Sequence, residues 1–204
     1  MASRTGPQAS TPTAVSVALR ERVLDEAAEL FARKSYAGTT TEEIADAVGE
    51  LRGTVYYHFE NKQAILEAIQ RRMTEELVRR LTEARNAGGT AAERVERMLA
   101  AFVDYALSRP SDFATSLEDL KYLEPKARRK AERRSDAVRL LLAEAIEDAL
   151  AEAPRRNVDS GIAAVSILYA LATMYRWYRP RGRLSRDEVI GQVTGLLLRG
   201  LIDR

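Results

Sequence analysis

Residues 40–62 read Thr40-Thr41-Glu42-Glu43-Ile44-Ala45-Asp46-Ala47-Val48-Gly49-Glu50-Leu51-Arg52-Gly53-Thr54-Val55-Tyr56-Tyr57-His58-Phe59-Glu60-Asn61-Lys62, two short helical patterns around a glycine and the start of a third. Thr40 or Thr41 caps a short helix whose apolar positions Ile44, Ala45 and Val48 keep helical spacing. Gly49 stops that helix, because the left-handed position after a helix favours glycine. A second short helix follows over about Arg52–Phe59. Its two apolar anchors, Val55 and Phe59, lie four residues apart and can face a core together. Arg52, Thr54, Tyr56, Tyr57 and His58 are then left to face outward. Such hydrogen-bonding and aromatic side chains suit contact with phosphates and base edges. Asn61 caps a third helix, and Lys62 adds an ammonium to that helix N-terminus, a natural phosphate clamp. Helix, glycine-marked turn and helix make a helix-turn-helix pattern.

Helical spacing continues on both sides of this stretch. Before it, Val23, Ala27, Leu30 and Phe31 form one stripe of a helix that starts near Ala14. Residues 1–13 are polar, hold two prolines and lack periodicity, so a tail is expected there. After it, a long helix runs through Leu66, Ile69, Met73, Leu77 and Leu81 to Gly88-Gly89. Thr90 opens a helix closed by Pro110, and a short piece spans about Ser111–Leu123. Pro125 suits the first turn of another long helix, which Pro154 breaks. Val158–Tyr178 is expected as one helix, apolar on almost every side. Pro180 and Gly182 make a turn, Ser185 caps the next helix, and Asp187–Ile202 is the last. No stretch alternates like a strand. The fold class is all-α, with about nine helices: a helix-turn-helix unit over 14–62 and a helical body over 63–204.

Composition removes several classes of function. The 204 residues include no cysteine, which excludes a disulfide framework, a thiolate zinc site and a cysteine nucleophile. One histidine, His58, cannot hold a metal alone. The chain lacks a phosphate-binding glycine loop ending in Lys-Ser/Thr, a G-x-S-x-G elbow and an H-E-x-x-H pair, so no enzyme chemistry, cofactor or metal site is expected. The charge-free run Gly161–Tyr175 is shorter than the roughly 20 residues of a membrane span. No basic-then-apolar leader opens the sequence, so no membrane association and a cytoplasmic location are expected. Charge is distributed unevenly. Lys126–Arg134 carries six cations against Glu132 alone, and Arg176–Arg186 carries five arginines and no acid. These clusters suit anionic partners, or are simply a solvated helix face and a loop.

Residues 23–66 resemble the DNA-binding domain of the TetR (tetracycline-repressor-like) family. The matching residues are Val23-Leu24, Ala27-Ala28, Leu30-Phe31, Tyr36, Thr40-Thr41, Ile44-Ala45, Gly49, Gly53-Thr54-Val55-Tyr56, Phe59, Lys62 and Leu66. The resemblance implies a homodimer on a palindromic double-stranded DNA operator, with repression relieved by a small molecule. It also implies residue roles. Thr41 and Lys62 would contact phosphate, and Arg52, Thr54 and Tyr57 would meet bases in the major groove. Gly53 would allow close approach. Tyr56 and His58 would contact backbone or base edges, or else pack within the head. Three positions depart from the family pattern. Ser35 replaces the usual glycine after the first helix and predicts a strained turn. Leu51 replaces a small hydroxyl residue, which removes a capping oxygen and leaves a side chain suited to a thymine methyl. Glu50 would repel phosphate unless paired, with Arg52 as the nearest cation. Residues 17–72 hold eight Lys+Arg and ten Asp+Glu, a net −2, so DNA affinity must come from a few placed groups.

The body carries further expectations. Segments 158–178 and 187–202 would form an intersubunit four-helix bundle over residues 158–203, or an ordinary core within one chain. The family's ligand pocket lies among the middle helices. Candidates to line it are Met98, Phe102, Tyr105, Phe113, Leu117, Tyr122, Leu142, Ile146, Leu168, Tyr169, Ala172 and Arg176, a mixture suited to a mostly apolar effector. Arg176–Ser185 with Asp187-Glu188-Val189 is similar to a C-terminal signature of regulators of fatty-acid and steroid acyl-CoA catabolism. An acyl-CoA thioester is the effector this implies, with the two basic clusters available for its phosphates. The same segment also reads as a structural turn. The alternatives are a drug-response regulator with a hydrophobic non-CoA ligand and a helical interaction protein without DNA binding.

Overall fold

The structure, a computed structural model, describes residues 14–152 and 158–202. The expected tail at 1–13 and the break at Pro154 lie outside these residues. Nine α-helices occur among the described residues, and no strand. They are α1 Ala14–Lys34, α2 Thr41–Val48, α3 Arg52–His58, α4 Lys62–Asn86, α5 Ala91–Ser108, α6 Pro110–Glu118, α7 Pro125–Glu152, α8 Ser160–Ala172 and α9 Arg186–Ile202. Short 3-10 turns cover Leu120–Tyr122 and Met174–Arg176. No helix among these residues is long and apolar enough to cross a membrane.

Local chemistry sets the boundaries. Thr40 caps α2, and Glu43 reaches back to the Thr40 N–H at 3.0 Å, a reciprocal capping box. Gly49 ends α2 at φ 74°. The turn after α1 is left-handed at Ser35, φ 66°, the strain expected where glycine is usual. Gly38, three residues on, cannot carry a side chain, because a Cβ there would lie 2.5 Å from the Lys34 carbonyl oxygen. Thr90 and Glu93 repeat the capping box at α5. Pro110 does not merely close α5. It is the first residue of α6, where its missing N–H costs nothing.

The expected helix over Val158–Tyr178 is shorter. It ends at Ala172, where the Thr173 hydroxyl donates back to the carbonyls of Tyr169 at 2.9 Å and Ala170 at 3.2 Å. The chain then tightens into the 3-10 turn, which brings Tyr175 to Glu118 at 2.8 Å.

Two buried clusters meet inside α4. The first joins Val23, Leu24 and Phe31 of α1, Ile44 and Val48 of α2, Val55 and Phe59, and Ile65, Leu66 and Ile69 of α4, with Leu123 and Ala131 closing one side. The second begins at Met73, Leu77 and Leu81 of α4 and includes α5, Phe113 of α6, Val138, Leu142 and Ile146 of α7, and parts of α8 and α9. One rod of 25 residues therefore carries the head core at one end and the body core at the other. Full burial of each large side chain, such as Phe31 or Leu66, contributes about 1.5–3 kcal/mol.

Candidate nucleic-acid interface and effector cavity

The head presents α3 outward on its two anchors. Val55 and Phe59 are buried, while Leu51 and Tyr57 are each 81% exposed. No side chain caps α3 at Leu51, as the lost hydroxyl predicts. Arg52 and Gly53 are exposed, and Thr54 and His58 are half-buried. Tyr57 and His58 meet edge to face with ring centres 5.2 Å apart. Apart from its own helix and neighbours, no described residue comes within 4 Å of where a Gly53 Cβ would stand.

A polar chain ties α2 to α3. The Thr41 hydroxyl, on a buried residue, lies 3.1 Å from the Tyr56 phenol oxygen, and Arg52 donates to that phenol at 2.9 Å. Arg52 also pairs with Glu42, and its guanidinium lies 5.1 Å from the Tyr56 ring centre. Hydrogen bonds from Thr41 and then Arg52 lower the Tyr56 hydroxyl pKa, and the Tyr56 bond followed by Glu42 raises that of Arg52. The expected Glu50–Arg52 pair is thus replaced by Glu42–Arg52, because α3 starts against the first turn of α2. Among the described residues no ion pair involves Glu50. The Thr41 hydroxyl, expected to meet phosphate, lies against Tyr56 and Glu42 and so positions Tyr56 in the chain without DNA.

Lys62 is half-buried. Its ammonium donates to the carbonyls of Tyr36 at 2.8 Å and Thr39 at 2.7 Å and sits 4.3 Å from the Tyr36 ring centre. Asn61 caps α4 by accepting from the Ala64 N–H at 2.9 Å. Two of three ammonium protons are therefore taken up in fixing the turn before α2, which leaves one directed elsewhere.

The body holds a cavity of about 480 Å³ between α4, α6, α7 and α8. Of the residues expected to line it, Phe102, Phe113, Leu117, Leu168, Tyr169 and Ala172 do. The others do not. Leu142 and Ile146 point into the sealed core, each 1% exposed, and Met98 is sealed there too. Tyr105 turns away to pack edge-on against Phe113 and beneath Arg80, and burial raises its hydroxyl pKa. Tyr122 stacks on Tyr36 at 5.2 Å and so belongs to the head. Arg176 pairs with Glu118 at 3.1 Å and donates to the Tyr175 hydroxyl at 3.0 Å, pinning the 3-10 turn to α6.

The α4 wall of the cavity, Gln70, Met73, Thr74 and Leu77, escaped sequence reading. Its signal was an apolar stripe interrupted by two polar residues, both of which prove 2% exposed. Glu132, Ser135, Asp136 and Arg139 of α7 complete the polar side, and Val138 adds an apolar contact.

Ion pairs join body to head. Arg72 of α4 holds Asp112 of α6 through both carboxylate oxygens at 2.8 and 3.0 Å, and also Asp25 at 2.7 Å and Glu21 at 3.1 Å of α1. Burial would push the Arg72 pKa down, but Asp112 and then Glu21 and Asp25 outweigh it and hold the guanidinium charged. Arg109 reaches Asp25, Ser111 donates to Glu29 at 2.7 Å, and Thr115 donates to the Ala28 carbonyl at 3.3 Å.

A helix-turn-helix head with a polar, outward-facing second helix, seated on a helical body that holds an open-mouthed cavity, defines a DNA-binding regulator with a small-molecule pocket. The chain belongs to the TetR family. Residues 23–69 match the profile of bacterial regulatory proteins of the tetR family, and residues 88–201 match the tetracyclin repressor-like C-terminal domain. The HTH-type transcriptional repressor KstR2 of Rhodococcus jostii is 27% identical over 184 residues, 89% of this chain and 90% of that one. PfmR, a TetR family transcriptional regulator from Thermus thermophilus, has a TM-score of 0.79 at 31% identity, covering 88% of this chain and 98% of its own. AibR, solved with isovaleryl coenzyme A and operator DNA, shares the fold with a TM-score of 0.77 at 23% identity, covering 91% and 98%.

Proposed function

We propose that this regulator is a homodimeric repressor that leaves a palindromic operator when a mostly apolar effector fills the body cavity. The observation that carries the reading is that α4 and α6 each line the cavity and each hold the head. Along α4, Met73 and Leu77 face the cavity while Ile65, Leu66 and Ile69 anchor the head core. Along α6, Phe113 and Leu117 face the cavity while Ser111 and Thr115 bond to α1. An effector that favours one packing of these helices changes the position of α3, and each linked binding weakens the other by the same factor.

On DNA, Arg52, Thr54 and Tyr57 read base edges in the major groove, and Tyr56 and His58 contact the backbone. Leu51 meets a thymine methyl. The open space at Gly53 admits the duplex, and Lys62 with the α4 N-terminus grips a phosphate. Such a chain works by binding in the cytoplasm and catalyses no reaction. Its division of labour is head over 14–62 and body over 63–204, with α4 as the shared rod.

The dimer forms through residues 158–203. Ile162, Val165 and Tyr169 make an exposed stripe on α8, with Leu196 on α9, and apolar surface of this kind is what a helical bundle between subunits buries. The effector is an acyl-CoA thioester. The isovaleryl coenzyme A bound by AibR supports this class. So does the exposed basic run of α7, where Lys126, Arg129, Lys130 and Arg133 lie one to three turns before the cavity residues Ser135, Asp136 and Arg139. The arginines of the 176–186 segment support it less, since Arg176, Arg179 and Arg186 are tied to Glu118, to local carbonyls and to Asp104. A hydrophobic ligand without CoA is the second reading, favoured by the apolar lining itself. A mobility-shift titration on DNA upstream of the protein's own gene, with a panel of acyl-CoA thioesters, separates them. Release by one chain length supports the proposal, and a specific shift that no acyl-CoA releases supports the second reading.

A further inference from the structure

Ser116 is the feature of the cavity that the packing of the chain leaves unexplained. It stands in the cavity wall on α6, 6% exposed, and its hydroxyl is buried without a hydrogen-bond partner among the described residues. The other buried polar groups of that wall are satisfied. Thr74 donates to the carbonyls of Gln70 at 3.0 Å and Arg71 at 3.1 Å. Gln70 donates to the Ala131 carbonyl and accepts from Arg134, each at 3.3 Å. A buried hydroxyl left unpaired is costly, and native chains rarely keep one without use.

We infer that Ser116 is the polar anchor of the effector and selects a neutral oxygen, a carbonyl or hydroxyl carried on an apolar body. This rests on the reading of the cavity as the effector site. The neutral class follows from the surroundings. Met73, Leu77, Phe102 and Phe113 are apolar, Arg139 of the α7 wall already pairs with Asp136 at 3.3 Å, and the guanidinium of Arg72 on α4 is already bound to Asp112, Asp25 and Glu21. A carboxylate at Ser116 would be a buried charge without a free counter-ion, which is far more costly than a buried ketone or thioester. The anchor also sits next to the contact with the head. Thr115, the preceding residue, bonds to the Ala28 carbonyl of α1, so an oxygen that fixes Ser116 fixes the α6 turn that touches the head.

The test uses the full chain and three probes of equal length: methyl nonyl ketone, undecane and undecanoate. Their affinities are read by displacement of Nile red, and melting temperature is read without probe. Wild type is expected to bind the ketone about fivefold more tightly than the alkane, the usual margin of one hydrogen bond. Ser116→Ala is expected to abolish that preference and bring the ratio to one or below, because the ketone oxygen is then buried unpaired, with an unchanged or higher melting temperature. A ketone preference that survives in Ser116→Ala overturns the inference and leaves the cavity reading standing. Undecanoate bound most tightly, with loss in Ser116→Ala, overturns the neutral class. A melting temperature lowered by several degrees assigns the hydroxyl a structural role and overturns the anchor. If no probe displaces the dye from wild type, the cavity reading fails, and this inference fails with it.

Discussion

The Thr41 hydroxyl on the first turn of α2 lies 3.1 Å from the phenol oxygen of Tyr56 on α3. Through it the two helices of the head share a polar contact in addition to their common core, and Arg52 closes the chain from the other side. Removing only the phenol oxygen is the cleanest test. Tyr56→Phe keeps the ring and should leave the melting temperature within a degree or two, since the side chain is 38% exposed. Operator affinity measured by fluorescence anisotropy should fall about fivefold, the margin of roughly one hydrogen bond.

Gly53 gives a prediction of opposite sign for folding and binding. No other described residue occupies the space beside it, and glycine within a helix costs about 0.5–1 kcal/mol relative to alanine. Gly53→Ala should therefore hold or raise stability in denaturant titrations while weakening operator binding about tenfold. Stronger DNA binding would contradict the close approach proposed there.

Leu51 is 81% exposed and leaves α3 without a side-chain cap. Leu51→Ser supplies the missing oxygen, worth about 1 kcal/mol, and should raise the melting temperature by about 2–4 °C in calorimetry. A changed preference at the operator base facing residue 51 is the second expected readout.

The pair between Arg72 and Asp112 should be among the most sensitive links in the molecule. Asp112 is 2% exposed and takes both of its bonds from Arg72, while Glu21 and Asp25 still balance the guanidinium when it is removed. Asp112→Ala should cost about 1.5–3 kcal/mol by denaturant titration. Arg72 then keeps only the α1 carboxylates, so the variant should also lose coupling between cavity and head.

The head brings few free cations to DNA. Lys34 pairs with Glu43, Arg52 with Glu42, and Arg22 donates to the Val48 carbonyl. The dependence of operator affinity on salt should therefore correspond to about three to five phosphates per subunit, and a slope of ten or more would contradict binding by a few placed groups.

Most of the head was legible in the sequence because its signals are local. Thr40, Gly49, Asn61 and the anchors Val55 and Phe59 each act within four residues of themselves, and all fall where spacing puts them. The partner of Arg52 was not legible, since Glu42 and Glu50 both lie near in sequence and only the angle between α2 and α3 decides between them. The cavity was half legible. Phe102, Phe113 and Leu168 are apolar on helices that face each other, but so are Leu142 and Ile146, and periodicity cannot tell a cavity wall from a sealed core. Tyr122 was misplaced for a similar reason: its ring lies 5.2 Å from that of Tyr36, a contact between residues far apart in the chain. The early end of α8 at Ala172, where the Thr173 hydroxyl bonds to the Tyr169 and Ala170 carbonyls and a 3-10 turn follows, carries no glycine or proline signal.

The proposed regulation requires α3 to read occupancy of the cavity through α4 and α6. The most direct measurement is the ratio of operator dissociation constants with and without a saturating acyl-CoA, for wild type and for Ala172→Trp, which fills the cavity from its α8 wall. A ratio of at least tenfold is expected in wild type, collapsing to about one in Ala172→Trp. An equal ratio in both proteins would place the effector elsewhere and contradict control of α3 by this cavity.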